Sequence, residues 1–498
     1  WVFARWIKVL VGYQPDEVYL EGAKRHTSDP VTRSDRDVDR AITIIKYVAS
    51  MMLLAFSVVV VMCLIFTGQT GAASFGIPTW ATFFVFWFLI FWLAMMEGGQ
   101  GCVVGLSPIE KAEYMQSHPK TFKNTSIVHK GDNMERFIVG RQFLTVLVIF
   151  SINLMGAAVN GAEVLGLPEG VSSLFLGSGL AMIMTTIMLG QLTSQVNAAS
   201  CMLDFINNYF MLYFVTYVSL LVEFSGLLHS VYLVQMMFSK ISGKPIESNE
   251  APRNFLQNTF FWGRALVSLA ILCLAFAVTI EALLSEKTTM WKGVPGWVSI
   301  VILFVLMIIV GIMEGIQNAL FAVVNISEPF LQMHPIAYAN CQLAFKGQNL
   351  KSFLIGRQIC AASGMFVVAR IMALNYSEGE TVFGFSQSVQ TFLNTGLLGA
   401  MITTIVASLI WRIIASSFPI IFLSNPIIYI IIRLCLLLDG AGVCSAAWVL
   451  ARIHKPLAGY QPDNVYLEGA KRHTSAPATK RDKDIDTTLT VVKYAAST

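Results

Sequence analysis

One uncharged stretch, Ala81-Thr-Phe-Phe-Val-Phe-Trp-Phe-Leu-Ile-Phe-Trp-Leu-Ala-Met-Met96, decides the class of fold that this chain can adopt. A helix crosses the hydrocarbon core of a bilayer with roughly 20 mostly apolar residues, and uncharged neighbours extend this stretch to that length. Residues 51–66 and 298–313 form two more uncharged runs of the same kind. The sequence therefore predicts an all-α polytopic membrane protein.

The composition of the whole chain agrees with this interpretation. Of its 498 residues, 55% are hydrophobic and 13% are charged, and the mean hydropathy is +0.64. About a quarter of the residues in an ordinary soluble domain are charged. Before the first span, Asp35, Asp37 and Asp39 alternate with basic residues, which favours a solvated cytoplasmic segment over a nucleic-acid-binding one. The eight cysteines lack the spacing of a disulfide framework or a zinc site.

A long repeat links the two ends of the chain. Residues 12–27 begin Gly-Tyr-Gln-Pro-Asp and recur at 459–474 with one of sixteen residues changed, at an offset of 447. Such low divergence indicates a recent tandem duplication. The chain, which begins at Trp1, then looks like one unit of a multi-unit protein together with the start of the next. The alternative is two copies of a regulatory motif on either side of a single membrane-spanning unit.

A shorter repeat divides this unit in two. Glu97-Gly-Gly-Gln100 matches Glu314-Gly-Ile-Gln317 at an offset of 217, and Gly140-Arg-Gln142 matches Gly356-Arg-Gln358 at 216. Further pairs occur in the same order along both halves: Pro78 and Trp80 with Pro295 and Trp297, His118-Pro119 with His334-Pro335, Thr185-Thr186 with Thr403-Thr404, and Glu223 with Asp439. This many ordered matches indicates an internal duplication.

We predict five spans in each half. They lie at 48–67, 80–105, 138–159, 172–194 and 205–238, and at 260–281, 297–320, 353–373, 387–411 and 418–447. An odd number of spans per half predicts two five-helix inverted-topology repeats, related by a pseudo-twofold axis in the membrane plane. The expected divisions are a cytoplasmic segment 1–46, a first repeat 47–240, a connecting loop 241–259, a second repeat 260–447, and the start of a second tandem unit 448–498 that copies 1–51. Both ends are then expected on the cytoplasmic side, where basic residues concentrate.

The duplicated Glu-Gly-x-Gln motif is the first candidate for function. Glu97 and Gln100 are three residues apart, so a helix places them on one face, with Gly98 between them. A charge at the centre of a bilayer costs roughly 2.5–3.5 kcal/mol, which makes an intramembrane carboxylate a functional hypothesis. Glycine weakens a helix, and interrupted helices at matching positions of two inverted halves are typical of transporter sites. We predict that these residues, with Glu314, Gly315 and Gln317, bind substrate; the alternative places them at helix ends among lipid headgroups.

The duplicated Gly-Arg-Gln motif supplies the complementary charge. Arg141 and Arg357 follow Gly140 and Gly356 and are positioned to pair with the two glutamates, offsetting two buried charges at once. Gln142 and Gln358 add amide donors and acceptors. The alternative interpretation is that both arginines extend to the membrane interface.

Other polar residues in apolar stretches give weaker signals. Glu223 and Asp439 lie deep in the last predicted span of each half. They are candidates for gating or proton-relay groups, and the alternative is that they are paired packing residues. Cys201 and Asp204, in Cys-Met-Leu-Asp, put a thiol and a carboxylate on one helix face and form a second possible ion or gating site. No catalytic residue, metal site or nucleotide-binding loop is indicated, so we do not expect an enzyme.

The paired motifs, 43 and 42 residues apart in a ten-span chain, make this sequence resemble the diatom silicon transporter family. Cys-Met-Leu-Asp is similar to a motif of some members, and the resemblance covers roughly residues 13–447. Many relatives end in a coiled coil, whereas here the opening segment recurs after the last span, as in fused multi-unit members. The resemblance implies that the substrate-binding positions are those of the two motifs: Glu97, Gly98, Gln100, Gly140, Arg141, Gln142, Glu314, Gly315, Gln317, Gly356, Arg357 and Gln358.

The resemblance also implies sodium-coupled uptake of silicic acid across the plasma membrane, with no cofactor beyond sodium as coupling ion. The expected partners are silicic acid, sodium, the lipid bilayer and covalent tandem copies or a homo-oligomer, but no nucleic acid. An internal silica-depositing membrane is the alternative location. The rival functions are transport of another small solute such as boric acid, a passive channel, and a receptor or scaffold without transport.

Overall fold

The computed structural model describes residues 33–243, 250, 253–291, 293–323, 326, 328–346, 349–376 and 379–463. Within these residues the chain is helical, and its β-structure is limited to two isolated antiparallel bridges, Thr70 with Ala158 and Thr288 with Leu374. The two bridges occupy matching places in the two halves. The opening Tyr-Gln-Pro-Asp copy at 13–16 and the tandem segment 464–498 lie outside the described residues, so the duplication of whole units stays a prediction.

Helices are numbered in chain order. Those of the first half are α1 Arg33–Phe66, α2 Thr79–Gly105, α3 Pro119–Val128, α4 Asn133–Gly156, α5 Glu169–Gly177, α6 Leu180–Ala198, α7 Met202–Phe205, α8 Met211–Phe224 and α9 Ser230–Ser242. Those of the second half are α10 Phe255–Leu284, α11 Gly296–Val323, α12 Glu328–Gln332, α13 Pro335–Phe345, α14 Asn349–Met372, α15 Gln387–Leu393, α16 Leu397–Ser417, α17 Pro419–Leu423, α18 Pro426–Ala441 and α19 Ala446–Ala458.

The described part of the chain contains seven helices that are long and apolar enough to cross a membrane: α1, α2, α4, α10, α11, α14 and α16. Two bent pairs raise the number to nine, α5 with α6 at 53° and α18 with α19 at 64°. The all-α polytopic prediction is therefore confirmed, while ten spans and their inverted orientation stay predictions. Trp80 and Trp297 lie exposed at the starts of α2 and α11, where membrane-interface aromatic residues are found.

The last predicted span of each half has a different form in the structure. Residues 205–238 contain the shorter apolar helix α8 and then the separate helix α9. Residues 418–447 contain α17, α18 and the start of α19, which continues to Ala458. The helical unit therefore extends past residue 447, where the sequence predicts its end.

Glycines in the left-handed backbone conformation occur at helix breaks in matching positions of the two halves. Gly179, with φ of 76°, precedes α6, and Gly396, with φ of 82°, precedes α16. Gly226 and Gly442, with φ of 82° and 73°, separate α8 from α9 and α18 from α19. Glycine adopts this conformation without the steric penalty that a Cβ would bring, so the chain can turn within an apolar stretch.

The two halves exchange their last helices. Helix α9 of the first half packs on α16 of the second, and helix α19 of the second half packs on α6 of the first. The equivalent helices α4 and α14 meet each other between the halves. Reciprocal contacts between equivalent elements are the pattern of an isologous, two-fold-related pair. The described residues therefore form one intertwined body rather than two separable domains.

Candidate functional site

Each Glu-Gly-x-Gln motif lies within an unbroken helix. Helix α2 continues through Glu97 and Gln100 to Gly105, and α11 continues through Glu314 and Gln317 to Val323. The expectation that the motif glycines interrupt these helices is therefore wrong. The sharp bends lie instead between α5 and α6 and between α18 and α19, where neither motif is located.

Glu97 and Arg141 form a buried ion pair in the first half. Arg141 Nη1 donates to Glu97 Oε1 at 3.0 Å and to Thr145 Oγ1 at 3.1 Å. Arg141 Nη2 donates to Gln142 Oε1 at 2.8 Å. The arginine is 1% exposed and the glutamate 6%, so the interpretation of Arg141 as an interfacial residue is wrong. The pair joins α2 to α4 inside the protein.

The second half repeats this arrangement. Arg357 Nη1 donates to Glu314 Oε1 at 3.1 Å, and its Nη2 donates to Gln358 Oε1 at 3.0 Å. Arg357 is also 1% exposed. The pairing of the two duplicated motifs, which the sequence predicts, is therefore present in both halves.

The two halves differ in the residue that contacts the second carboxylate oxygen. Gln195 Nε2 donates to Glu97 Oε2 at 3.0 Å. At the matching position, 217 residues later, Arg412 Nε donates to Glu314 Oε2 at 3.0 Å, and Arg412 Nη2 donates to the same oxygen. One carboxylate thus binds a single cation, whereas the other binds two. The sequence does not predict either residue, because identical residues reveal the repeat and Gln195 and Arg412 are not identical.

The motif glycines allow close packing. A Cβ on Gly140 would lie 1.9 Å from the Ser219 carbonyl oxygen, and one on Gly356 would lie 2.0 Å from the Cys435 carbonyl oxygen. Helix α8 therefore approaches α4, and α18 approaches α14, through a position that holds no side chain. The other two motif glycines contact aromatic rings in the same way: Gly98 with Phe205 and Gly315 with Phe422.

A cavity of about 400 Å³ lies between the two halves. Small-molecule sites in proteins have volumes of roughly 300–1,000 Å³. Its polar lining combines residues of both halves: Gln100, Glu135, Tyr232 and Gln235 from the first, and Gln317, Asn318, Arg412 and Ser416 from the second. Of the twelve predicted substrate-binding residues, Gln100 and Gln317 are in this lining. Their glutamate and arginine neighbours are buried behind it, and Arg412 connects the Glu314 pair to the cavity.

The two acidic residues predicted as gating groups have different surroundings. Glu223 is 7% exposed and accepts a hydrogen bond from Tyr232 Oη at 3.0 Å, and His229 Nε2 lies 3.8 Å from it. Because Tyr232 lines the cavity, Glu223 is one residue removed from it. Asp439 is half-buried near the end of α18, beside Gly440, whose carbonyl accepts a hydrogen bond from Lys46 Nζ. Neither carboxylate belongs to the cavity lining.

The Cys-Met-Leu-Asp motif binds the second Tyr-Gln-Pro-Asp motif. The Asp463 carboxylate accepts from the backbone N–H groups of Met202 at 3.1 Å and Leu203 at 3.0 Å. Asp204 Oδ2 accepts from the Gln461 backbone N–H at 2.7 Å, and Asp204 Oδ1 lies 3.0 Å from His118 Nε2. We call residues 460–463 the terminal clasp. The Cys-Met-Leu-Asp motif and the second Tyr-Gln-Pro-Asp motif therefore contact each other, which the sequence alone does not indicate.

The terminal clasp lies next to Cys201, because the Asp463 backbone N–H donates to the Ser200 carbonyl oxygen at 3.2 Å, and it reaches toward the motif in α2. Burial raises the pKa of the Cys201 thiol and raises that of Tyr460 to about 12. The Tyr460 ring lies 6.1 Å from the Phe205 ring, and Phe205 packs on Gly98, next to Glu97. Cys201 and Asp204 are thus part of a contact that fixes α7 against α2. A role for them in ion binding or gating stays a prediction.

A family model described as silicon transporter matches residues 38–496, nearly the whole chain. No curated protein and no solved structure matches the chain.

Proposed function

Because the chain belongs to the silicon transporter family, and is thus a membrane transporter for silicic acid, we propose that it couples uptake to sodium and works by alternating access. The substrate would bind in the cavity between the halves, and each half would move against the other around it. Both chain ends would lie in the cytoplasm and the protein in the plasma membrane, with an internal silica-depositing membrane as the alternative. This unit would be joined covalently to tandem copies of itself or would form a homo-oligomer.

The observation that carries the proposal is the position of Gln100 and Gln317. These equivalent residues of the two halves line the same cavity. Silicic acid is a neutral tetrahedral molecule with four hydroxyl groups, so its recognition needs hydrogen-bond donors and acceptors rather than one opposite charge. A glutamine amide provides both, and Asn318, Gln235 and Tyr232 add more in the same lining.

The buried ion pairs would hold the two glutamine-bearing helices in place. Breaking a buried pair by removing one partner destabilises a protein by roughly 3–5 kcal/mol, because the other charge stays buried. The Glu97–Arg141 pair joins α2 to α4, and the Glu314–Arg357 pair joins α11 to α14. We propose that each pair fixes the angle at which Gln100 or Gln317 faces the substrate.

Sodium coupling supplies the driving force for a neutral solute. An uncharged molecule gains nothing from the membrane voltage, whereas one inward elementary charge gains about 2.3 kcal/mol per 100 mV. Alternating access would follow from inverted halves that move around a central site. The contact between the equivalent helices α4 and α14 of the two halves is where such movement would occur.

The test is silicic acid uptake into proteoliposomes that contain the purified chain, with and without an inward sodium gradient. Accumulation above equilibrium only with the gradient is the expected result. Uptake that equilibrates regardless of sodium would refute coupling and indicate a channel. Competition by excess boric acid would favour the alternative substrate, and empty liposomes with the same gradient serve as the control.

A further inference from the structure

Gln195 in the first half and Arg412 at the matching position of the second half give the two buried glutamates different numbers of cationic partners. Around Glu314, two guanidinium groups share one carboxylate, because Arg357 holds Oε1 and Arg412 holds Oε2. Among the described residues that hydrogen-bond Glu97, Arg141 carries the positive charge at one oxygen, and the second oxygen accepts from the neutral amide of Gln195. The fold thus accommodates two cations at one buried carboxylate in the second half and holds one in the first.

Two buried amide oxygens lie on this side of the first half. Gln191 and Gln195 are each 2% exposed, and Oε1 of neither accepts a hydrogen bond from the part of the chain that the structure describes. The Gln195 amide nitrogen faces Glu97, so its oxygen is directed away from the carboxylate. A buried acceptor without a donor is unfavourable, and in native proteins it calls for an explanation such as an ion.

The spacing of these two residues along the helix places their side chains on one face. Gln191 and Gln195 are four residues apart in α6, a spacing that puts both side chains on the same face. Residues 186–192 form a π-helical segment, a local widening that often marks functional sites. The segment packs against α2, which carries Glu97.

We propose that the first half binds one sodium ion between Gln191 Oε1 and Gln195 Oε1, beside Glu97. The inference rests on the proposed sodium coupling and locates its ion. In the second half, the matching residues are Ser408 and Arg412, so a tethered guanidinium takes the place of the mobile ion. Each unit then carries one sodium site.

The donor set selects a small monovalent cation. Hard cations prefer oxygen ligands, and calcium is usually bound by several carboxylates. Here the ligands are two neutral amide oxygens, and the nearby Glu97 carboxylate is already paired with Arg141. A divalent ion would find too little negative charge at this place, whereas a bound sodium ion reproduces the two-cation arrangement around Glu314.

The test measures sodium binding without silicic acid. A ligand that binds only the folded state raises its unfolding temperature. The purified, detergent-solubilised chain is titrated with sodium chloride, potassium chloride or choline chloride while thermal unfolding is followed. We expect saturable stabilisation by sodium alone. Gln195→Arg, which installs the cation of the second half, should abolish this stabilisation, and Gln191→Leu should raise the half-saturating sodium concentration at least tenfold.

Gln390→Leu is the matched control. Gln390 is also buried, but both its amide oxygen and its amide nitrogen have partners, since Oε1 accepts from the Val382 backbone N–H at 2.9 Å and Nε2 donates to Asn394 Oδ1 at 2.8 Å. This variant should unfold at a lower temperature with an unchanged sodium response. If Gln195→Arg does not fold, the sodium response of Gln191→Leu alone tests the proposed site.

The outcomes separate the two proposals. A sodium response that survives in both Gln195→Arg and Gln191→Leu overturns the site and leaves sodium coupling intact. A wild-type chain without any sodium response overturns the site, and the proteoliposome uptake assay with and without a sodium gradient then decides the coupling separately. Because silicic acid is absent, an error about the substrate changes neither result.

Discussion

The Asp463 carboxylate accepts the backbone N–H of Met202 at 3.1 Å, although 261 residues separate the two along the chain. Asp463 is 3% exposed and also accepts from Leu203, so its charge caps the first turn of α7 from outside that helix. The terminal clasp therefore completes a helix of the first half with residues that follow the second half.

Removing this carboxylate is expected to loosen α7. Hydrogen bonds to charged groups contribute about 1.5–3 kcal/mol, so Asp463→Ala should lower the free energy of unfolding by about that amount. Thermal unfolding of the purified variant measures the loss. Gln461→Ala is the control, because Gln461 contributes its backbone N–H to Asp204 and this bond survives the substitution.

The same substitution is expected to expose Cys201. Burial raises the pKa of this thiol, so at pH 8 the reactive thiolate is scarce while the clasp is closed. If Asp463→Ala makes opening easier by about 1.4 kcal/mol, the open population and the alkylation rate rise about tenfold. Peptide mass spectrometry after maleimide labelling measures the modification at Cys201 alone. An unchanged rate would show that the clasp does not shield this thiol.

Gly140→Ala and Gly356→Ala are expected to destabilise the protein by about 1–3 kcal/mol or more each. A methyl group at either position overlaps a backbone carbonyl, which has little freedom to move away. Gly263→Ala is the matched control, since no atom lies within 4 Å of a Cβ built there within α10. This control should leave stability unchanged or raise it by up to about 1 kcal/mol through helix propensity. Equal effects at all three glycines would contradict the packing explanation.

Glu314→Gln is expected to destabilise the protein more than Glu97→Gln. The first change leaves both Arg357 and Arg412 without their carboxylate, whereas the second leaves only Arg141. Losing one partner of a buried pair costs roughly 3–5 kcal/mol. Glu380→Gln is the control, because its ion pair with Lys287 is exposed and contributes at most about 1 kcal/mol. Thermal unfolding of the three variants measures their loss of stability. A larger loss for Glu97→Gln than for Glu314→Gln would contradict the explanation that Glu314 pairs with two arginines and Glu97 with one.

Gln100→Met and Gln317→Met are expected to weaken silicic acid binding without unfolding the protein. Each change removes about one hydrogen bond of 0.5–1.5 kcal/mol, which corresponds to a KM for uptake roughly 2–10-fold higher. Gln332→Met, at an exposed position of α12, controls for the change in residue type. A KM that stays at the wild-type value in both cavity variants would exclude these amides from the substrate site.

The sequence predicts the membrane-crossing class and both ion pairs because the necessary signals are local or duplicated. Uncharged runs such as 81–96 identify spans, and two identical copies of Glu with Arg at nearly the same separation identify partners. The helix breaks at Gly179 and Gly396 are harder to predict, since a single glycine in an apolar stretch is compatible with a continuous helix.

Contacts between distant, unlike residues could not be predicted from one sequence. Nothing local in Gln195 or Arg412 shows that each faces a glutamate nearly a hundred residues away. Likewise, Cys-Met-Leu-Asp gives no sign that its backbone binds Asp463. The motif glycines alone predict room for a ligand, whereas the space beside Gly98 and Gly315 holds the rings of Phe205 and Phe422. These aromatic partners lie outside the motif, so the motif does not reveal them.

The exchange of last helices has a consequence for synthesis. Asn197, at the end of α6, hydrogen-bonds His454 of α19, which the ribosome makes 257 residues later. At roughly 5–20 residues per second, this delay is about 10–50 seconds. Throughout that time the end of α6 stands in the nascent chain without its final partner. The first half is thus made first but completed last, and a translational stall inside the second half leaves both halves unfinished.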